Sequence, residues 1–414
     1  MTAVQEVAGP LAIDYRRWPA MLPPTPAPLR AAIARALLHR VAGRTGIRVV
    51  LEDGTAWGRP GAPTLRVADS ARFFSRLGRD GLIGFGESYM AADWDCDDLV
   101  AVLTPMARNL ATLVPPPLQW LRRWYDKQFP PNEDNDRRGA RRNIARHYDL
   151  SNELFATFLD ETMTYSSALL ERPGEDLATG QRRKIDRILD VAAVGPDRTV
   201  LEIGTGWGEL ALRAAQRGAH VTSLTLSEEQ AALARQRVSA AGLSDRVDIR
   251  IQDYRDVVGR FDAIVSVEMI EAVGERWWPT FFRTLDDRLG PGGRIGLQAI
   301  LMPHERLMAS RSSWTWIHKY IFPGGLLLSE RVIDEVCAQH TSLQVVDRLH
   351  MRSSYADTLR QWRERFTAAA DRVDQLGFDP TFRRMWTFYL AYCEAGFRAG
   401  YLNVAQLTLA RERP

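Results

Sequence analysis

Val200-Leu201-Glu202-Ile203-Gly204-Thr205-Gly206-Trp207-Gly208-Glu209-Leu210-Ala211 reads as an apolar strand, a glycine-rich turn and the opening of a helix that continues to Arg217. Glycines at 204, 206 and 208 permit a sharp turn and a close backbone approach to a ligand, which Cβ atoms would obstruct. That is the form of a nucleotide-type site. In the dinucleotide fingerprint the third glycine stands three positions after the second, whereas here it follows after two, with Glu202 just ahead of the turn. This spacing suits S-adenosylmethionine better than NAD. The glycines alone would equally suit a strand-to-helix turn with no ligand, and it is the surrounding sequence that weighs against that.

Downstream, the same pattern repeats. His220–Leu224 is a second apolar strand, with Thr225-Leu226-Ser227-Glu228-Glu229-Gln230 at its carboxyl end, the edge where ligands of open α/β sheets bind. A helix through Val238 leads to a third strand, Val247–Ile251, ending in Gln252-Asp253-Tyr254-Arg255, side chains placed to frame an adenine. Phe261–Val267, a helix through Leu289, the turn Gly290-Pro291-Gly292-Gly293 and the strand Arg294–Ile300 complete the series. The alternation predicts an α/β fold with a mostly parallel, doubly wound, Rossmann-like sheet.

At 414 residues the chain is long for one hydrophobic core, and two domains are expected. A formal net charge of +3 with 25% charged residues carries no polyanion-binding signature, so nucleic acid is not favoured as a partner. Cys96, Cys337 and Cys393 lie far apart and fit neither a metal spacing nor a disulfide framework, which suits a reducing cytoplasm and no metal site. The start lacks a hydrophobic signal core, and no run approaches the roughly 18–20 apolar residues that span a bilayer. Any membrane contact is expected to be peripheral, at the inner face of the cell membrane.

Residues 1–28 are proline-rich towards their end and read as an arm. Residues 29–129 read as a small α+β domain for lipid or other interactions: a helix over Leu29–Ala42, β-like runs at Ile47–Leu51 and Thr64–Val67, and a helical stretch from Asp98. In the first helix Ile33, Leu37, Leu38 and Val41 recur at helical spacing among Arg30, Arg35, His39 and Arg40, as domain packing or an anionic bilayer surface would both require. Pro130 to Arg138 is polar and proline-bounded, so 130–142 is the expected linker and 143–414 the expected catalytic domain. His147, taken alone, reads as a structural residue rather than a base.

Several ordered motifs together resemble the cyclopropane-fatty-acyl-phospholipid synthases and their relatives, the mycolic acid methyltransferases. They are GESYMAADWDCDDL from Gly86, HYDLSNELF from His147, MTYSS from Met163, LEIGTGWG, TLSEEQ, QDYRD, SVEMIEAVG from Ser266, KYIFPGG from Lys319 and SYADTLRQW from Ser354. The resemblance covers most of the chain, and its first-domain part points to the phospholipid-acting branch. It implies S-adenosylmethionine as cofactor, contacted by Tyr165, Ser166, Gly204, Gly206, Thr225, Leu226, Gln230, Asp253, Tyr254 and Arg255, with Gly208 closing the glycine turn. In the family reaction an acyl-chain alkene attacks the sulfonium methyl, and the resulting carbocation is shielded and deprotonated. Rings that stabilise cations and exclude water suit that chemistry.

Ring-forming members bind bicarbonate as the base, through Cys, Glu, His, Tyr and a backbone contact from Ile. The matching positions here are Ser167, Glu271, Gln298, Tyr355 and Ile300, so two of the five identities differ. Where the ring-forming pattern has Gly, this chain has Glu268. If the segment is helical, Glu268 and Glu271 share a face and both point into one site, where repulsion raises one pKa. Alone, Glu268 would read as a helix-start carboxylate; with the Cys and His gone, it reads as a built-in base that makes bicarbonate dispensable. The same combination resembles the mycolic enzymes that leave a methyl branch.

The expected reaction is therefore C-methylation of the double bond of an unsaturated, oleoyl-like phospholipid chain, giving a methylene branch. Ring closure to a cyclopropane is the alternative within the family, with water capture to an alcohol behind it. A non-catalytic lipid-binding protein that keeps the fold, or a small-molecule methyltransferase, are the readings from other classes. Trp316, Tyr320 and Phe322 are the expected lining of an acyl tunnel by their place in the family motif. The resemblance further implies a homodimer, and because the sequence carries no flavin or nicotinamide signature of its own, a separate reductase is expected to convert methylene to methyl.

Overall fold

The computed structural model describes residues 11–109, 135–137, 139–140 and 151–411. Their contacts form two compact units: 11–109 with Ser313–Lys319 and Phe366–Tyr401, and the remaining described residues. The HYDL part of the HYDLSNELF motif, His147 included, and most of the expected linker lie outside the described residues.

The first unit holds a four-stranded sheet of β1 (Arg48–Val50), β2 (Ala56–Trp57), β3 (Thr64–Val67) and β4 (Trp94–Cys96), in the order β2-β1-β3-β4. Helix Pro28–Thr45 starts at a proline, whose fixed φ suits the first helical turn, and stops at Gly46 in the left-handed conformation. Helix Ser70–Met90 is capped by Asp69, which accepts from the Arg72 amide at 2.9 Å. Arg76 of that helix is buried. It pairs with Asp93 at 2.8 Å and donates to the carbonyls of Ala20, Met21 and Leu22, which fastens the segment before the first helix.

The division differs from the sequence-based one, which ran a single domain from 143 onwards. Helix Pro380–Arg398 sets Phe388 against Phe85 (6.3 Å between centroids) and Tyr89 (5.5 Å), and Trp316 lies edge-on to Phe388 at 4.8 Å. A Cβ on Gly86 would fall 2.5 Å from the Trp316 indole, so that glycine makes room for the ring. Aromatic burial thus assigns both segments to the first unit.

The second unit is built on a seven-stranded sheet: β5 (Thr199–Ile203), β6 (His220–Thr225), β7 (Val247–Ile251), β8 (Phe261–Val267), β9 (Leu289–Leu301), β10 (Leu343–His350) and β11 (Asn403–Arg411). Their order is β10-β11-β9-β8-β5-β6-β7. The five strands from β9 to β7 are parallel, while β11 and β10 add antiparallel. Side chains alternate between faces with the strand period of two. Val200, Ala263 and Val265 pack with helices Leu177–Val191, Glu209–Gln216 and Glu228–Ala240; Leu201, Ile203 and Ile264 pack with Trp278–Arg288 and Glu330–His340. Both faces are therefore covered, as a doubly wound sheet requires. The expected strands of the parallel part are present within a residue at each end except β9, which begins at Leu289; β10 and β11 were not anticipated.

Candidate active site

The site lies at the carboxyl ends of β5, β6, β7 and β8, where a cavity is lined by Thr164, Tyr165, Ser166, Lys184, Glu202, Gly204, Thr205, Gly206, Glu209, Thr225, Leu226, Gln230, Gln252, Tyr254, Glu268 and Met269 among others. Gly204 (φ 102°) and Gly206 (φ 51°) turn the chain out of β5, conformations that cost a side-chain-bearing residue dearly. A Cβ on Gly206 would meet nothing within 4 Å, so its backbone borders open space. Gly208 (φ 90°) serves differently: its Cβ would fall 3.0 Å from that of Ala234, and it allows two helices to approach. Beneath the turn Glu202 is buried and accepts from the Ser223 hydroxyl, itself 2.7 Å from Thr205 Oγ1. Burial pushes the Glu202 carboxyl up to about 8. Open glycine backbone, the Thr225 and Gln230 pair (3.1 Å) after β6, and Gln252 with Tyr254 after β7 make a donor set that fits S-adenosylmethionine.

At the end of β8 the backbone does something unusual. Glu268 has φ 47°, in the left-handed region that glycine occupies freely, while its amide still donates to the Gln298 carbonyl at 2.8 Å. The carboxylate collects three donors: Oε1 accepts from the Ser167 amide (2.9 Å) and Gln298 Nε2 (2.7 Å), and Oε2 from the Tyr355 hydroxyl (2.6 Å). Glu271, on the 3-10 turn Ile270–Ala272, accepts from the Ile300 amide through Oε1 at 2.6 Å. The expected shared helix face is thus corrected. Glu268 belongs to no helix, and the two carboxyls are brought near by a strand end followed by a tight turn.

Their electrostatics differ accordingly. Burial raises the Glu268 pKa, against the lowering effects of the Tyr355 hydroxyl, the Lys184 ammonium, the Ser167 amide and Gln298. Burial, and then the neighbouring Glu268 charge, push Glu271 up to about 8. Glu271 is thus held neutral at pH 7, whereas the donors around Glu268 oppose the effect of its burial. Lys184, pushed down to about 8 by burial, donates to Ser166 Oγ at 2.7 Å. Two aromatic rings line the cavity and are backed by others: Tyr165 packs against Phe155 (5.1 Å) and Trp362 (5.3 Å), and Trp207 against Phe155 (5.0 Å).

Of the expected cofactor residues, Tyr165, Ser166, Gly204, Gly206, Thr225, Leu226, Gln230 and Tyr254 line the cavity. Gly208, Asp253 and Arg255 do not. Asp253 and Arg255 form a buried ion pair (2.7 Å), with the guanidinium over the Trp277 ring at 4.9 Å and donating to the Asn135 carbonyl at 3.2 Å, which anchors the segment after β7. Ser167, Gln298 and Tyr355 converge on Glu268, and Ile300 on Glu271. Trp316 is buried in the first unit, and half-buried Tyr320 and Phe322 do not border the cavity. Lys184 was missed, although a lysine on the buried stripe Gln181-Lys184-Ile185-Ile188 is itself a signal.

The sequence profile of the family described as mycolic acid cyclopropane synthetase matches residues 135–407. The tuberculostearic acid methyltransferase UfaA1 of Mycobacterium tuberculosis is 54% identical over the whole length of both chains. The cyclopropane-fatty-acyl-phospholipid synthase of Escherichia coli K12 is 34% identical over 82% of this chain and 86% of its own. The structure of the mycolic acid cyclopropane synthase CmaA1 complexed with SAH and CTAB superposes with a TM-score of 0.60 at 30% identity, covering 65% of this chain and 97% of that one. The chain belongs to the mycolic acid cyclopropane synthetase family and is an S-adenosylmethionine-dependent methyltransferase.

Proposed function

We propose that the enzyme methylates the double bond of an unsaturated phospholipid acyl chain and leaves a methylene branch, with Glu268 as the base. The observation that carries this reading is the Glu268 carboxylate itself, which occupies the three donors from Ser167, Gln298 and Tyr355 at positions where ring-forming relatives hold bicarbonate. No donor of that set is left over for a separate anion. The relative named for tuberculostearic acid supports a fatty acyl substrate, and the one from Escherichia coli supports a phospholipid.

When bound, S-adenosylmethionine supplies the electrophilic methyl that the acyl double bond captures, leaving a cation on the neighbouring carbon. Tyr165, Ser166, the Gly204–Gly206 backbone, Thr225, Leu226, Gln230 and Tyr254, which line the cavity, would hold the cofactor. A hydride shift carries the cation to the methylated carbon. Glu268 then takes a proton from the new methyl, and the C–H electron pair becomes the exocyclic double bond. Glu271, neutral at pH 7, adds no second negative charge that would hold the cation too tightly. The rings of Tyr165, Phe155 and Trp362 exclude the water that would otherwise capture the cation as an alcohol. A separate reductase would be needed to saturate the methylene.

The test is Glu268→Gln with oleoyl-phospholipid vesicles and methyl-labelled S-adenosylmethionine. Loss of a general base should slow product formation about 10²–10⁴-fold while cofactor binding persists. Unchanged turnover would refute the assignment.

A further inference from the structure

The hydrogen bonds that reach Glu268 begin at the protein surface. Arg187, on helix Leu177–Val191 and 24% exposed, donates to Asp347 Oδ2 at 2.9 Å and to Gln406 Oε1 at 2.8 Å. Gln406 of β11 donates through Nε2 to Gln298 Oε1 at 3.1 Å and to the Lys184 carbonyl at 3.0 Å. Gln298, its register partner on β9, donates through Nε2 to Glu268 Oε1 at 2.7 Å and to the Ser167 carbonyl at 3.3 Å. Both glutamines are fully buried.

The direction of this chain is set at its outer end by Arg187 and supported along it by the carbonyls of Lys184 and Ser167, which can only accept. A guanidinium can only donate, so Gln406 must turn its oxygen to Arg187 and its nitrogen inwards. Gln298 must then meet Gln406 with its oxygen, which leaves its nitrogen for Glu268. An amide can otherwise rotate by half a turn at small steric cost, and an inverted Gln298 would press a carbonyl oxygen against the carboxylate. Aligned amide dipoles, in a dry interior, strengthen one another.

We propose that Arg187 and Gln406 are positioning residues for the base: they set the polarity of Gln298 so that its amide nitrogen, not its oxygen, faces the Glu268 carboxylate. The proposal rests on the reading of Glu268 as base only for its kinetic consequence. The other groups facing Glu268 are the Tyr355 hydroxyl from helix Arg352–Ala368, the Lys184 ammonium from Leu177–Val191 and Glu271 from the following turn, with Glu202 lining the same cavity; each is retained in the variants that test it.

Arg187→Gln places a group that can either donate or accept at the head of the chain, Arg187→Lys keeps a pure donor there, and Gln406→Met breaks the chain inside. The pH dependence of kcat and the infrared carboxyl band of Glu268 in the free protein, with Glu268→Gln as the blank, are measured on each. Arg187→Gln and Gln406→Met should move both the acid limb and the infrared midpoint up by about one pH unit, a tenfold fall in rate below the limb, with KM unchanged. Arg187→Lys should restore both. A wild-type limb and midpoint in Arg187→Gln would overturn the proposal, and Arg187→Gln decides alone should Gln406→Met fail to fold. If Glu268→Gln keeps full turnover, the base assignment fails while the infrared midpoints still judge the chain.

Discussion

Tyr355→Phe removes one atom from the site and should move its pH profile in a known direction. Tyr355 is buried, and its hydroxyl donates to Glu268 Oε2 at 2.6 Å; after the desolvation that raises the Glu268 pKa, this bond is the largest influence lowering it. A hydrogen bond to a charged group contributes about 1.5–3 kcal/mol, and one pKa unit corresponds to about 1.4 kcal/mol, so its loss should raise the Glu268 pKa by roughly 1–2 units. The sign follows directly: a base with a higher pKa is protonated over a wider range, so the acid limb of the rate profile moves up. Single-turnover methyl transfer to oleoyl-phospholipid vesicles, followed from acid to neutral pH, reads this without interference from product release. Below the limb the variant should be about 10–100-fold slower, and on the alkaline plateau it should approach the unaltered enzyme. A limb that stays in place, with only a lower unfolding temperature, would mean that Tyr355 packs rather than tunes, and would refute the reasoning.

Three further outcomes follow from the same geometry. Gly206→Ala and Gly208→Ala should fail differently: the first, with open space before it, costs about 1–2 kcal/mol of strain and weakens S-adenosylmethionine binding by calorimetry, whereas the second meets Ala234 at 3.0 Å and shows mainly as lost stability in denaturant. Glu202 keeps its proton to about pH 8 in the folded protein but ionises near 4.5 when free, so the unfolded state binds fewer protons in that window and stability falls as pH rises through it. Glu202→Gln should flatten that decline by on the order of a few kcal/mol in urea titrations at successive pH values. Arg76→Met strands buried Asp93, whose pKa burial already pushes up to about 6, and should cost about 3–5 kcal/mol in the same assay.

Local pattern carried the parallel part of the sheet. The strand at Thr199–Ile203, its glycine turn and the polar ends of β6 and β7 are written in consecutive residues, and they stand where the spacing put them. The residues around the carboxylate come from four separate elements, and only the family resemblance joined Ser167, Gln298, Ile300 and Tyr355 to Glu268 and Glu271. What neither route revealed was how Glu268 reaches them. A helix-face argument assumed right-handed φ, whereas the chain holds a glutamate at φ 47°, a conformation chosen by tertiary hydrogen bonds against local preference. Gln406 was invisible for a related reason: β11 joins the sheet antiparallel and far along the chain, so the pairing of Gln406 with Gln298 exists only in the register of two strands. That Trp316 packs beside Gly86 was likewise not legible, because proximity in a motif does not say which core an aromatic ring enters; the gap at Gly86 does.

The central claim is that a protein carboxylate, in the position of a bound anion, directs the cation to a methylene. The most direct measurement is carbon-13 NMR of the fatty acids released after incubating the unaltered enzyme with oleoyl-phospholipid vesicles and methyl-labelled S-adenosylmethionine, since methylene and ring products share one mass. Label in an exocyclic alkene carbon is the predicted result. Label in a cyclopropane methylene would keep the family and the cofactor but contradict the role assigned to Glu268.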